Sequence, residues 1–497
     1  MDANTSGTDN VAVGSIALDV NTTGSQNTAI GRGTMGSNTT GNRNTAVGAL
    51  ALDANTTAND NTAIGYDAAS ANTTGQMNTT VGTYAFDANT TGSFNTAVGR
   101  AALSANTDAD HNTAIGYQAL DLNTTGQFNT AVGSAALDAN TTADNNTAIG
   151  YLALTSNTTG NLNTAVGRSS LATNSTGTDN TAIGYGSLAA NTTASNNTAI
   201  GKDTLGTNTT GHSNVAVGHS ALVNATTANS NVSVGASSMD ANTTGANNTA
   251  VGTSALGTNT TGNENTIMGD SAALDQTTGT GNNCFGYKAG HELTTGSNNT
   301  LIGRYASAYD GTHLTTGNKN VIVGNFNKVS AADASSQAVI GYYVTSAGNN
   351  SLTFGDGGTD SNIAYGATTI TAPSDIRLKE DIQDEKIGLD FVNDLRPVTF
   401  RWKKEKDIPS NMNAYKEGSE ERTMNGKYNH GFIAQEVKEA INKYDFKEGF
   451  DMWTEDESDG RQRVGDASLM PIMVKALQEL STQVDELKAE IQTLKGE

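Results

Sequence analysis

Proline and tryptophan are almost missing from this chain of 497 residues. Four prolines (Pro373, Pro397, Pro409, Pro471) and two tryptophans (Trp402, Trp453) are present, and all six lie at or beyond position 373. A single cysteine, Cys284, excludes an internal disulfide and reads as a small buried apolar residue. Basic residues are scarce: 28 Lys and Arg against 50 Asp and Glu, a formal charge of −22. That balance, without basic clusters, argues against a nucleic-acid partner. Apolar runs are far too short to span a bilayer, so no membrane insertion is expected. The opening segment, MDANTSGTDN, has neither a basic nor an apolar leader region, so no Sec-type signal is expected. Six scattered histidines (His111, His212, His219, His291, His313, His430) show no metal-ligand spacing, and no nucleotide-loop, lipase-type or calcium-loop motif stands out. Neither a metal nor a cofactor is expected.

The scarcity is local. From Ser374 onward 46 of 124 positions are charged, against 32 of the 373 before it. Two physically different segments therefore meet near residue 373.

The first segment is a repeat. Glycine recurs at every seventeenth position from Gly14 to Gly303, 18 copies without a gap, each preceded four places earlier by an asparagine, from Asn10 to Asn299. The consensus is N-T-A-[IV]-G-x-x-A-L-x-x-N-T-T-G-x-x, with Leu18, Leu52, Leu103, Leu120 and Leu137 four places after their glycines. Thr-Ala-Ile favours strand; Gly and Asn favour turns. One unit offers too few large apolar side chains for a core of its own, so units must stack, with Asn and Thr columns bonding between rungs. The recurrent glycine implies a positive φ or a close backbone approach. At about 4.8 Å per rung the rod would be on the order of 85 Å long. Gly/Asn/Thr-rich sequence is often disordered, but a spacing held this long needs a lattice to enforce it. The spacing loosens after Gly303: the next glycines are Gly324, Gly341 and Gly355, with a four-residue insertion near His313 and Leu314. Residues 4–303 are thus expected as a β-solenoid or β-roll rod and 304–373 as an irregular β neck. N-T-T formally matches a glycosylation acceptor but reads here as ladder chemistry.

Stacked NTAIG and NTAVG units resemble the head repeats of trimeric autotransporter adhesins and related repeats of phage tail fibres. That resemblance implies a trimeric β-roll. The thin core per repeat points to a trimer independently, since a lone slender rod buries little surface.

The second segment has ordinary mixed α/β composition. Val398–Trp402 alternates like a strand, and residues 431–443 read as a strand end entering a helix. Over 470–495, Met473, Leu477, Leu480, Val484, Leu487, Ile491 and Leu494 alternate spacings of four and three, a heptad stripe. It reads as an oligomeric coiled coil, the alternative being a helix packed on its own domain. Ser374-Asp375-Ile376-Arg377-Leu378-Lys379, then Leu395-Arg396-Pro397-Val398 with Phe400-Arg401-Trp402, then Gly431-Phe432-Ile433-Ala434-Gln435-Glu436, resemble the intramolecular chaperone domain of endosialidases and other phage tail spikes and fibres. The resemblance covers 374–497. It implies a domain that trimerises the chains, assists folding of the upstream β-structure, and then cuts itself off once, as a Ser–Lys endopeptidase. Carried to this sequence, it makes Ser374 the nucleophile, Lys379 the general base and Pro373–Ser374 the scissile bond, with Asp375, Arg377 and His430 as candidate supporting residues. A neutral lysine amine can take the serine proton while the oxygen attacks the preceding carbonyl. Residues five apart share no face of a helix or strand, so a turn must join them. The alternative is that Ser374 or Asp375 caps a helix beginning at Ile376.

The expected protein is therefore mostly β: a trimeric 17-residue-repeat rod, then a small α/β chaperone domain ending in a coiled-coil helix. The expected role is a virion tail fibre, assembled in the host cytoplasm, binding a cell-surface glycan or protein receptor and other tail proteins. A bacterial trimeric adhesin and an ice-binding solenoid are the alternatives. The first would need a leader and an anchor, the second a flat threonine face. No room is left in 4–303 for a glycan-cleaving domain.

Overall fold

The computed structural model describes residues 3–496 apart from 358, 368, 369, 372, 373, 375, 413, 425, 447–449 and 457–459. The chain divides into two compact units, Met1–Pro373 and Ser374–Glu497.

The first unit is a β-solenoid with one short strand per turn. Strands β1 (Val11–Val13) through β18 (Thr300–Ile302) are each a single tripeptide, and they recur at every seventeenth position. Each pairs in parallel with the next at the same repeat position, most often Thr on Thr, Ala on Ala and Ile on Ile or Val, as in Thr113↔Thr130, Ala114↔Ala131 and Ile115↔Val132. β19 (Val321–Val323), β20 (Gln337–Tyr342) and β21 (Ser351–Asp356) continue the ladder, and β22 (Ser361–Ala364) turns back antiparallel on β21. The four-residue insertion leaves the strands in step, since Ile302 still pairs with Val323. It is absorbed in the connecting turn.

A three-residue strand satisfies few backbone groups. The rung 112–128 shows where the others go. Asn112 is fully buried. Its Nδ2 donates to the Gly126 carbonyl at 2.8 Å, and its Oδ1 accepts the Asn129 amide at 2.9 Å from the next rung. Asn123 donates to Asn106 Oδ1 at 3.1 Å and to the Gly126 carbonyl at 2.9 Å. The Thr124 hydroxyl donates to the Thr141 carbonyl at 3.0 Å. These side-chain ladders repeat along the rod. The first Thr of N-T-T thus uses its hydroxyl inside the lattice rather than on a water-ordering face.

The turn after the glycine carries positive φ at alternate residues, Gln118 (52°) and Leu120 (54°) in this rung. Left-handed backbone in a bulky residue costs on the order of 1 kcal/mol or more. What it achieves is direction. The Gln118 amide donates back to the Arg100 carbonyl at 3.1 Å, while the Leu120 and Leu122 amides donate forward to Ala136 and Asp138 at 2.9 and 3.0 Å. Alternate amides therefore reach both neighbouring rungs, and these donors are not stranded. Gly116 has φ +142°, and a Cβ there would lie 2.4 Å from the Gly133 carbonyl oxygen. The sequence expectation of a positive φ and of a close approach holds at this position on both counts.

The core is a column of alanines from strand centres and leucines from the turns, such as Ala114 with Leu120 and Ala199 with Leu205, all fully buried. Towards the C-terminal end the two positions exchange bulk: Ile267 with Ala273, Cys284 with Gly290, Leu301 with Ser307. Outward, the strands leave an Ile/Val column half-covered. Ile30, Ile64, Ile115, Ile149 and Ile183 are 39–41 % exposed.

In the second unit, α1 (Leu389–Asp394), α2 (Ala434–Ile441) and α3 (Leu469–Leu494) close on a core of Phe391, Leu395, Val437, Ala440, Met452, Leu469 and Ile472. Two hairpins complete it: β23 (Val398–Phe400) with β24 (Asn429–Gly431), and β25 (Trp453–Glu455) with β26 (Gln462–Val464). The strand at Val398 is shorter than the alternation through Trp402 suggests. Within α3 only Leu469, Ile472 and Ala476 are buried, so its own unit holds the first turns and leaves the heptad stripe bare. Among the described residues no helix is long and apolar enough to cross a membrane.

Two outcomes are expected. Asn112→Ala strands the Asn129 amide and leaves the Gly126 carbonyl to Asn123 alone, at about 2 kcal/mol in all. Hydrogen exchange should show that drop in local opening free energy in the rungs on either side of Asn112 and none ten rungs away. The Cys284 thiol is fully buried, and burial pushes its pKa up to about 12. Iodoacetamide should leave Cys284 unmodified in the native rod and alkylate it only as the rod unfolds.

Candidate functional site

Ser374 opens the second unit. The next described residues, Ile376–Leu378, form a single 3-10 turn, closed by the Lys379 amide donating to the Ile376 carbonyl at 3.2 Å. That turn reverses the chain and brings Lys379 back over Ser374. Lys379 Nζ donates to Ser374 Oγ at 2.7 Å. The spacing of five, which neither a helix nor a strand could use, is bridged by this turn. The helical element that begins at Ile376 is a single 3-10 turn, Ile376–Leu378. Both side chains are exposed in the protomer.

Of the supporting candidates, Arg377 sits on this turn and is itself engaged in an interaction. Pro373 and Asp375 lie outside the described residues. His430 belongs to β24, where it faces Thr399 across the hairpin.

The more distant sequence motifs meet one another. Arg396, from Leu-Arg-Pro-Val, grips Glu436, from Gly-Phe-Ile-Ala-Gln-Glu, through both carboxylate oxygens, with Nε at 2.9 Å. The bonded guanidinium holds the Glu436 carboxyl below its ordinary range, and Glu436 in turn raises Arg396. One segment beyond, Val398 pairs with Gly431 and Phe400 with Asn429. Two motifs far apart in sequence are therefore two halves of one joint. They also line one cleft of about 950 Å³, with Phe400, Trp402, His430 and Phe432 beside Ile408, Pro409 and Met412. Its described lining includes neither Ser374 nor Lys379. Reading the motifs separately missed this pairing. The opposite charges of Arg396 and Glu436 were the available signal.

Among the described residues no group of three or more His, Cys, Asp or Glu side chains could hold a metal ion.

Comparison with known proteins adds one finding. No curated protein and no solved structure matches the chain. Residues 374–448, beginning at Ser374 itself and ending before α3, match the family model described as the chaperone of endosialidase.

Proposed function

We propose that this chain is a tail-fibre subunit of a phage: a homotrimeric β-solenoid that attaches to the host surface, carrying a C-terminal chaperone that is released by its own cleavage before Ser374. The observation that carries this reading is the start of the chaperone-family match at Ser374. The residue where the match begins is also the one that accepts the 2.7 Å hydrogen bond from Lys379.

Three features support assembly before cleavage. The heptad stripe of α3 is uncovered by its own unit, with Leu477 at 63 % and Leu487 at 56 % exposure. A stripe this narrow suits helices of further copies. The half-exposed Ile/Val column suits burial against neighbouring rods, at roughly 25 cal/mol per Å² of apolar surface removed from water. Thirdly, lysine serves as a base only as the free amine, which a water-excluding environment favours. In the protomer Ser374 and Lys379 are open to solvent; neighbouring chains would cover them. Cleavage would then wait on trimerisation. The hydroxyl proton passes to Lys379 Nζ, Oγ attacks the carbonyl carbon of the preceding residue, and the amine of Ser374 leaves with that proton. Water then hydrolyses the ester.

The division of labour has a physical motive. Slipping one rod against another by a whole repeat costs little at any single rung, so the repeat cannot set its own register. A clamp at one end removes the ambiguity. Once the rods interlock, the clamp can go, and the fibre persists through a high unfolding barrier.

In wild-type protein a new N-terminus should appear at Ser374, and Ser374→Ala and Lys379→Ala should each run as one full-length band. Cleavage persisting in Ser374→Ala would remove the dyad from consideration. Native mass spectrometry of uncleaved Ser374→Ala should give three chains, falling to one when Leu480→Asp and Leu487→Asp are added. A monomeric mass with efficient cleavage in the wild type would overturn the trimer and its gating role together.

A further inference from the structure

The cationic and aromatic residues of the rod are not spread evenly. Positions 1–373 hold nine basic side chains against 23 acidic ones. Three of the nine, Lys288, Arg304 and Lys328, lie at one place near the C-terminal end of the solenoid, with six aromatic rings. Tyr305, Phe326 and Tyr343 each stand two places after their rung's glycine. They stack along the rod, Tyr305 on Phe326 at 5.9 Å and 19°, Phe326 on Tyr343 at 4.9 Å and 20°. Tyr287 and Tyr342 flank this stack from the adjoining column, edge-on at 5.3 Å to Tyr305 and 4.7 Å to Tyr343. Tyr309 is supplied by the four-residue insertion and lies 4.6 Å from Phe326.

The cations lie on the rings, and among the described residues none of the three forms an ion pair with a carboxylate. Arg304 is 5.4 Å from the Tyr305 centroid and 5.3 Å from that of Phe326, Lys288 is 5.6 Å from Tyr287, and Lys328 is 6.0 Å from Tyr309. Such contacts orient a cation while leaving its outer side free for an anion. The rings stay partly open, Tyr287 at 41 %, Tyr342 at 48 % and Tyr343 at 38 % exposure. Tyr343 donates to the Tyr309 hydroxyl, and that bond helps to raise the Tyr343 phenol to about 12.

We propose that this platform, spanning Tyr287 to Tyr343, binds an anionic oligosaccharide, its ring faces lying on the aromatic stack and its acid groups meeting Arg304, Lys288 and Lys328. Four rungs span three steps of about 4.8 Å, on the order of 14 Å, a track for a few sugar rings. A sugar presents apolar C–H faces to aromatic rings and hydroxyls to phenols and cations at their edges; this surface offers both along one straight line. Asp270, one rung before Tyr287 in the same column, and Asp310, next to Tyr309, confine the positive run to three cations. That suits a short acidic sugar better than a long polyanion. The proposal deepens, and rests on, the reading of the rod as an attachment fibre.

The test applies the full-length protein to an array of immobilised carboxylated, sulfated and neutral oligosaccharides. Binding should appear on acidic members, with the carboxylated and sulfated arms identifying the acid. Arg304→Gln and Tyr343→Ala should each weaken it at least tenfold, while Arg100→Gln, on a distant rung, leaves it unchanged. Binding to neutral members alone, no binding at all, or equal binding by Arg304→Gln would overturn the proposal. So would a fall in native mass in Tyr343→Ala, which would make the platform a contact between copies of this chain. Trimer mass and cleavage at Ser374 are separate readouts, so the platform can fail while the fibre reading stands.

Discussion

A coil with one three-residue strand leaves most of its backbone without an in-strand partner, and every other feature of the rod answers that deficit. Water cannot reach the interior, so each buried amide and carbonyl must find a group on the rung above or below. The asparagine columns supply carboxamides that both donate and accept between rungs, as Asn112 does for Gly126 and Asn129. Left-handed residues such as Leu120 aim their amides along the axis at a local cost. Glycines such as Gly116 let consecutive rungs approach at the point where any side chain would collide. None of these devices works in a single rung. Stability belongs to the stack, which is the behaviour expected of a one-dimensional lattice with nearest-neighbour coupling.

The same dependence explains what was legible in the sequence. Translational symmetry prints itself as identity, so the 17-residue period, the glycine, both asparagine columns and the core leucine could be read directly. The heptad spacing of Met473 to Leu494 named a helix that the structure gives as Leu469–Leu494. Left-handed φ at Gln118 and Leu120 left no trace, because it is imposed by neighbouring rungs against the preference of those residues. The pairing of Ser374 with Lys379 could be anticipated only through resemblance: the two meet because of a short turn whose formation no periodicity announces. The platform at Tyr287–Tyr343 escaped notice because its rings come from four rungs and an insertion, and only stacking shows that they share a face.

The two units follow opposite design rules. In the first, local order is repeated and long-range order accumulates from it. In the second, specificity comes from single pairings, such as Arg396 with Glu436 and the hairpin of Val398–Phe400 with Asn429–Gly431. A lattice of near-identical rungs is strong and indifferent to its own alignment; a small domain with unique contacts is the reverse. Proline sorts accordingly, since it lacks the amide that a repeated ladder needs and is ordinary in a compact domain.

The exchange of bulk inside the rod has a consequence for its length. From Ala97 with Leu103 to Ala216 with Leu222 the core pair is alanine with leucine in eight consecutive rungs, so one such turn meets the same core as its neighbours. A whole unit gained or lost by duplication or deletion there would need no repacking. From Ile267 onward the pairs become Ile267 with Ala273, Cys284 with Gly290 and Leu301 with Ser307, and each fits only its own neighbours; a Cβ on Gly290 would lie 2.7 Å from Leu301 Cδ1. The rod is thus adjustable in steps of one turn over this middle stretch and fixed over its last few turns. The aromatic stack of Tyr305, Phe326 and Tyr343 lies in the part of the rod that such a change would leave untouched.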